Sequence, residues 1–248
     1  MTSGAADSLR ADREVLLGIC SGFSDADWKA PSGCEGLTVQ GVVAHMGALF
    51  WLAVDPSTLP DTSGRPTEEA QDVIVESRRS WTAQQVVDDY AAVSEKAIEM
   101  AAQFETQDFE LALGDLGTYP ANLLPNAYAF DHYTHIRLDL FEPRGPLAGP
   151  LPPSDDLRLR PTLDWIAAAA PQQSEGVVAA LPGTVELAVT GTASRVINLG
   201  TGDVVATVES DGPTLVRWAT GRGRWEDLPI TASGDPDALE LIQHLKVF

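Results

Sequence analysis

The stretch PRGPLAGPLPPSDD, residues 143–156, separates two unlike halves of this chain. Its prolines cannot continue a helix, so it predicts a linker. Apolar residues recur at helical spacing before it, whereas short alternating runs separated by glycines follow it. We therefore predict an α+β protein of two domains, with a four-helix bundle over residues 1–147 and a small α+β domain over residues 157–248.

Four amphipathic stretches precede the linker. Helices are predicted over about Ala5–Phe23, Val39–Ala53, Thr82–Phe104 and Pro120–Phe141. The segment from Asp55 to Arg79 is predicted to be a long loop, as in a bundle with a crossover connection. After the linker we predict a helix near Arg160–Ala170, strands over 184–191, 194–200 and 203–210, and helices over Gly212–Thr220 and Asp237–Leu245. Because the linker is rich in proline and Trp218 and Trp225 need packing partners, we expect the second domain to pack back on the bundle.

The charge balance limits the kinds of partner. The 248 residues include 36 acidic and 16 basic side chains, which gives a formal charge of −20. Nucleic acids and anionic membranes are bound through clustered positive charge, so we expect neither as a partner. The N-terminal residues have no apolar core of a signal peptide, and the apolar stretch 41–54 is too short to span a bilayer. We expect a cytoplasmic protein whose two cysteines are reduced.

The few histidines are informative because the chain has only four. Asp131 and His135 are four residues apart in the fourth predicted helix, so both side chains point the same way. The rest of that face is largely apolar, which suggests that it faces the bundle interior: Leu124, Tyr128, Leu138 and Glu142. His45 lies at the edge of the apolar stripe of the second helix. Two imidazoles and one carboxylate would suit Zn²⁺, Ni²⁺ or Fe²⁺ and leave coordination positions open.

The same residues allow simpler interpretations. Asp131 and His135 could form a buried salt bridge, with His45 as a core histidine. His132 offers a competing pair with His135, and His244 could simply contact the end of the last helix. Cys34, in the loop before the second helix, could be a small apolar residue of the loop or a reactive thiol.

Several short motifs resemble one known family. Residues 9–52 carry Asp27-Trp28, then Pro31, Cys34 and Gly36, then the V-V-A-H core that ends at His45. This opening is similar to that of the DinB-like maleylpyruvate isomerase family of actinobacteria. The segment AFDHYTHIRLDLF, residues 129–141, resembles that family's fourth helix, and residues 216–239 resemble its second domain, which is like a sterol carrier protein.

The resemblance implies a divalent metal, usually zinc, held by His45, Asp131 and His135. It also implies a low-molecular-weight thiol, typically mycothiol, as cosubstrate of an isomerase or a thiol transferase. A metal ion lowers the pKa of a bound thiol, so a thiolate could attack an electrophilic alkene, epoxide or disulfide. Two positions differ from the family pattern: Leu37 replaces its tryptophan, and Asp131 replaces its glutamate.

Three arginines of the second domain are candidates for neutralising a substrate carboxylate, and a solvent-exposed loop is the alternative. They are Arg217, Arg222 and Arg224, of which we select Arg222 as the catalytic candidate. The function expected is metal-dependent thiol transfer or isomerisation of a small electrophile by a monomer or homodimer. The alternative is a non-catalytic protein of the same fold that binds a small ligand or acts in regulatory interactions.

Overall fold

The computed structural model describes residues 4–248, which contain ten α-helices and two β-sheets. The helices are α1 (Ala5–Cys20), α2 (Asp25–Lys29), α3 (Val39–Val54), α4 (Thr67–Glu76), α5 (Ala83–Phe104), α6 (Leu124–Thr134), α7 (Asp156–Gln173), α8 (Glu175–Ala180), α9 (Gly212–Ala219) and α10 (Pro236–Ile242). The strands are β1 (Glu110–Ala112), β2 (Thr118–Pro120), β3 (Thr184–Thr190), β4 (Arg195–Leu199), β5 (Val204–Asp211) and β6 (Thr231–Gly234). The α+β fold class is confirmed.

Local capping explains where the bundle helices begin. The Thr38 side chain accepts a hydrogen bond from the Gly41 backbone, which satisfies a free donor at the start of α3. Thr82 and Gln85 form a reciprocal capping box at the start of α5. The four predicted bundle helices correspond to α1, α3, α5 and α6, whose inward faces share one apolar core.

Three parts of the bundle differ from the sequence prediction. The segment predicted as a long loop contains α4, an amphipathic helix whose only fully buried residue is Ile74. The antiparallel pair β1–β2 was not predicted, and it lies between α5 and α6. The fourth helix starts at Leu124, with Pro125 in its first turn where proline is tolerated, and continues as a π-helical turn over His135–Asp139.

The second half is built around a four-stranded sheet in the order β4-β3-β5-β6. Strands β3 and β5 are parallel and the other pairs are antiparallel. Their inward residues pack with α7, α9 and α10 in a second core. The sequence analysis missed β6 and placed the ends of α7 and α10 a few residues away from their positions in the structure.

The second half packs back on the bundle, as expected. Helix α7 lies against α6 and α1, and the bundle residues Tyr119, Phe130 and Tyr133 belong to the second core. Of the two reasons given from the sequence, the one that concerned the tryptophans was wrong, because Trp218 and Trp225 pack edge-to-face on each other with ring centroids 4.9 Å apart. The division into domains at 147 and 157 stays a prediction, which limited proteolysis within residues 143–156 tests.

Within the described residues, no helix is long and apolar enough to cross a membrane.

Candidate functional site

Three side chains predicted as metal ligands converge between α3 and α6. The Nε2 atoms of His45 and His135 each lie 3.3 Å from Oδ1 of Asp131. The candidate ligand atoms of the three residues all lie within 4.8 Å of one another. One helical turn separates Asp131 from His135, so their shared direction follows from helix geometry, and α3 supplies His45 from the facing helix.

A second carboxylate fixes the orientation of the His135 ring. Nδ1 of His135 lies 2.8 Å from Oδ2 of Asp139, one turn further along the π-helical turn. Burial alone would raise the pKa of Asp139, but hydrogen bonds from His135 and Arg222 lower it to about 2. Because an ionised carboxylate only accepts hydrogen bonds, Nδ1 of His135 is the donor. The Nε2 atom of His135 therefore faces Asp131.

Arg222 connects this arrangement to the second half of the chain. Its Nε atom donates to Oδ1 of Asp139 at 2.9 Å, and its Nη2 atom donates to Oδ2 at 2.6 Å. Asp139 is fully buried, so the pair is shielded from solvent. Burial disfavours the charged guanidinium, yet the contacts with Asp139 raise the pKa of Arg222 above its usual value.

The geometry requires positive charge between His135 and Asp131. With Nδ1 donating to Asp139, the Nε2 atom of His135 carries either a lone pair or a proton toward a carboxylate oxygen. Two electron-rich atoms 3.3 Å apart repel each other unless a proton or a metal cation lies between them. Burial lowers the pKa of His135, but Asp131 and Asp139 outweigh burial and raise it to about 9. Without a metal, the proton fills this role.

The Asp131 carboxylate has an unused acceptor. Its Oδ2 atom is buried and has no hydrogen-bond partner in the described structure. Burial would raise the pKa of Asp131, but the neighbouring His135 and His45 hold it well below its usual range. A charged, buried oxygen without a partner is unfavourable, and coordination of a cation would satisfy it. Two imidazoles and one carboxylate form a donor set that fits zinc.

The other candidate residues lie in different surroundings. His132 is buried between Phe50 and Tyr90, and its Nδ1 atom lies 3.0 Å from the Tyr128 carbonyl oxygen. His244 is exposed beyond the end of α10. These positions do not bring His132 or His244 into the group formed by His45, Asp131 and His135.

Cys34 lies on the side of His135 that faces Asp139. Its sulfur and candidate ligand atoms of these two residues form a second close group. Burial raises the pKa of Cys34 to about 11, and the negative charge of Asp139 adds to the effect. At neutral pH this thiol is therefore protonated.

Of the three candidate arginines, only Arg222 lines the cavity beside the site. Arg224 is exposed and pairs with Asp227, which corresponds to the solvent-exposed alternative. Arg217 is not part of the cavity lining either.

The three converging residues lie in the wall of a cavity of about 1030 Å³. The cavity runs between α3, α5 and α6 and is covered by α4 and by the loop between β1 and β2. Trp165, Arg222 and the C-terminal residue Phe248 contribute to it from the second half. A volume near the upper end of the range for small-molecule sites admits two small reactants together.

The sequence analysis missed Asp139 and the covering helix α4. A signal for Asp139 was present, because it follows His135 at the same four-residue spacing that links Asp131 to His135. The role of α4 had no comparable signal, since its sequence shows an amphipathic pattern but not the surface on which it packs.

Comparison with known proteins shows the family and the fold of the chain. A family model described as the mycothiol maleylpyruvate isomerase N-terminal domain matches residues 9–141. Two crystal structures, of the mycothiol-dependent maleylpyruvate isomerase and of a point mutant of it, each match with a TM-score of 0.59 and 20% identity, over 95% of this chain and 94% of that chain. At this identity the structural match shows a shared fold. No curated protein matches the chain. Because this family model matches more than half of the chain, the chain belongs to the mycothiol maleylpyruvate isomerase N-terminal domain family.

Proposed function

We propose that this protein is a metal-dependent enzyme that joins a low-molecular-weight thiol, such as mycothiol, to a small electrophile, as a transferase or as an isomerase. The observation that carries the proposal is the convergence of His45, Asp131 and His135 in the wall of a large cavity. The family match supports the thiol, and the donor set supports a divalent metal, zinc first.

We assign the following roles to individual residues. His45, Asp131 and His135 would hold the metal, which, when bound, supplies a Lewis acid that lowers the pKa of a thiol. Asp139 accepts a hydrogen bond from Nδ1 of His135 and so keeps Nε2 available as a ligand. The apolar side chains of the cavity wall, such as Leu49 and Leu124, would surround the reactants beside the metal ligands. The thiolate sulfur would then bond to one carbon of an activated alkene while the π bond breaks and its electron pair moves onto the electron-withdrawing group. In a transferase, protonation of the other carbon completes the addition. In an isomerase, rotation about the resulting single bond is followed by loss of the thiolate and re-formation of the double bond.

Arg222 fits a positioning role better than direct contact with a substrate carboxylate. Its Nε and Nη2 atoms are already bonded to Asp139, and its Nη1 atom lies 3.4 Å from the Thr220 carbonyl oxygen. Its charge is thus largely neutralised by Asp139. We propose that Arg222 holds Asp139, which in turn holds the His135 ring.

Metal analysis of the purified chain and its variants tests the proposal. The chain is expected to bind one equivalent of zinc and to consume the thiol only when loaded. His45→Ala should lose stoichiometric zinc while keeping its circular dichroism spectrum, because α3 is capped and packed independently of that side chain. His244→Ala, which changes an exposed histidine outside the site, is the matched control.

Two results would contradict the proposal. One is a wild-type chain that takes up no zinc, or a His45→Ala variant that takes up as much as wild type. The other is a zinc-loaded chain that consumes no thiol with any electrophile, which would favour a ligand-binding protein of the same fold.

A further inference from the structure

We propose that the electrophile of this protein is an uncharged, apolar molecule rather than a dicarboxylate, and that it lies in an apolar arm of the cavity. The reaction of this ligand rests on the proposed function, but its binding does not. We define the apolar arm by residues that line the cavity away from the three converging side chains: Leu49, Leu52, Ala53, Met100, Phe104, Leu113, Leu116 and Leu124.

The lining follows the helices away from the candidate metal site. On α3 it extends from His45 to Ala53, which is about 12 Å at 1.5 Å per residue. On α6 it extends from His135 back to Leu124, about 16 Å by the same rise. The arm is therefore long enough for an extended alkyl chain or a fused ring system that reaches the site with one end.

The charges around the cavity do not favour a dianion. Four of its charged lining residues are exposed, and three of them are acidic: Glu35, Arg65, Glu68 and Asp72. Among the described lining residues, the arginine nearest the site is Arg222, and Asp139 already neutralises it. A second carboxylate of a substrate would lose its hydration in the arm without gaining a cationic partner, which is unfavourable.

The cover of the arm presents both apolar and polar side chains to the cavity; α4 contributes Ala70 and Val75 beside Thr67, Glu68, Gln71 and Asp72. Leu113 precedes the short turn Gly114–Leu116, and Leu116 is its last residue. The Asp115 side chain of this turn accepts hydrogen bonds from the backbone and hydroxyl of Thr67 at the start of α4. Val75 of α4 faces the same cavity. The hydrogen bonds between Asp115 and Thr67 thus connect the loop and α4 as one roof over the arm.

Binding of a neutral dye tests the proposal directly. N-phenyl-1-naphthylamine is uncharged and fluoresces in apolar surroundings, and the metal-free full-length chain is expected to bind it. Met100→Trp places a bulky ring in the arm from α5 and should weaken binding about ten-fold, as expected for loss of buried apolar contact. Ala53→Trp fills the arm from α3 and should act in the same direction.

Glu99→Trp is the matched control, because the neighbouring residue on α5 is exposed and lies outside the lining. It should bind the dye like wild type, and the dianion maleate should not displace the dye. Binding of the dye with the same affinity in wild type and in both arm variants would overturn the proposal, as would no binding to wild type.

The enzymatic readout separates this proposal from the proposed function. Zinc-loaded protein should consume thiol at least ten-fold faster with an uncharged aromatic electrophile than with a dicarboxylate alkene of similar intrinsic reactivity. A preference for the dicarboxylate would overturn the apolar arm and leave the proposed function standing. The opposite result is also possible to distinguish. If Met100→Trp loses dye binding but no form of the protein consumes thiol, the apolar arm is supported and the proposed function is refuted.

Discussion

The π-helical turn His135–Asp139 contributes one charged side chain to each of two buried clusters. Arg137 belongs to one cluster and Asp139 to the other, and the surroundings of the two clusters differ. Arg137 and Arg158 both bond to Asp12 of α1, and all three side chains are at least nine-tenths buried. Asp139 bonds to Arg222 and His135 beside a cavity. Each cluster joins the bundle to the second half through one buried aspartate.

The two clusters differ in whether a partner of the aspartate still has an atom that could bind a metal. In the Asp12 cluster every charge is met by another fixed charge or by the Pro153 carbonyl oxygen, which accepts from Arg137. In the Asp139 cluster one partner is an imidazole whose second nitrogen points into the cavity wall toward Asp131. The same type of buried ion pair therefore holds the fold together in one place and orients a candidate ligand in the other.

The largest effect is expected from Asp12→Asn. This change leaves the buried guanidinium of Arg137 without a counter-ion and leaves that of Arg158 with only the half-exposed Asp155. Loss of one partner of such a cluster typically lowers the free energy of unfolding by about 3–5 kcal/mol. Urea denaturation measures the change. Asp7→Asn, which removes an exposed ion pair on the same helix, should change stability by less than about 1 kcal/mol. Equal losses in the two variants would refute the assignment of the Asp12 cluster as the structural one.

Thiol labelling extends this comparison to the bundle core. Burial raises the pKa of Cys20 to about 12, so below that pH the unreactive thiol predominates and labelling requires opening of the core. At pH 8, Asp12→Asn should speed alkylation of Cys20 by about 100-fold or more, because its unfolded population rises. Arg222→Ala should speed it much less, because Asp139 keeps His135 as a charged partner. Mass spectrometry of the labelled peptides distinguishes Cys20 from Cys34.

A smaller effect, confined to the metal site, is expected from Arg222→Ala. The loss of this support for Asp139 should weaken zinc affinity about 10- to 100-fold, as is typical for groups that orient a metal-binding histidine. Competition with a chelator measures the affinity. Arg224→Ala, which alters the exposed neighbouring arginine, should retain wild-type affinity. Unchanged zinc affinity in Arg222→Ala would separate the Asp139 cluster from metal binding.

The smallest effect is expected at the roof of the cavity. Asp115→Ala removes the acceptor for the first backbone amide of α4, so amide exchange in that helix should rise about five-fold while α5 is unaffected. Hydrogen exchange resolved by peptide measures this. Asp61→Ala, which disrupts only a turn of the preceding loop, is the control. Equal exchange in both variants would show that Asp115 does not hold α4.

The sequence predicted the parts of the fold that depend on local pattern. Helical periodicity located the main bundle helices, and alternating runs located β3, β4 and β5. Short elements were not predicted, because strands of three or four residues such as β1 and β6 carry little periodic signal. Helix α4 escaped because its segment was interpreted as a crossover loop.

For the candidate site, the four-residue spacing of Asp131 and His135 determined that they share a direction, since that is a property of any helix. Whether His45 would meet them depended on how α3 packs on the bundle, which only the tertiary structure decided. The π-helical turn, the pairing of Asp139 with Arg222 across 83 positions of the chain, and the apolar arm were decided in the same way. The physical reason is that side-chain direction along one helix is a local property, whereas ion pairs and cavities arise from surfaces brought together by folding of distant segments.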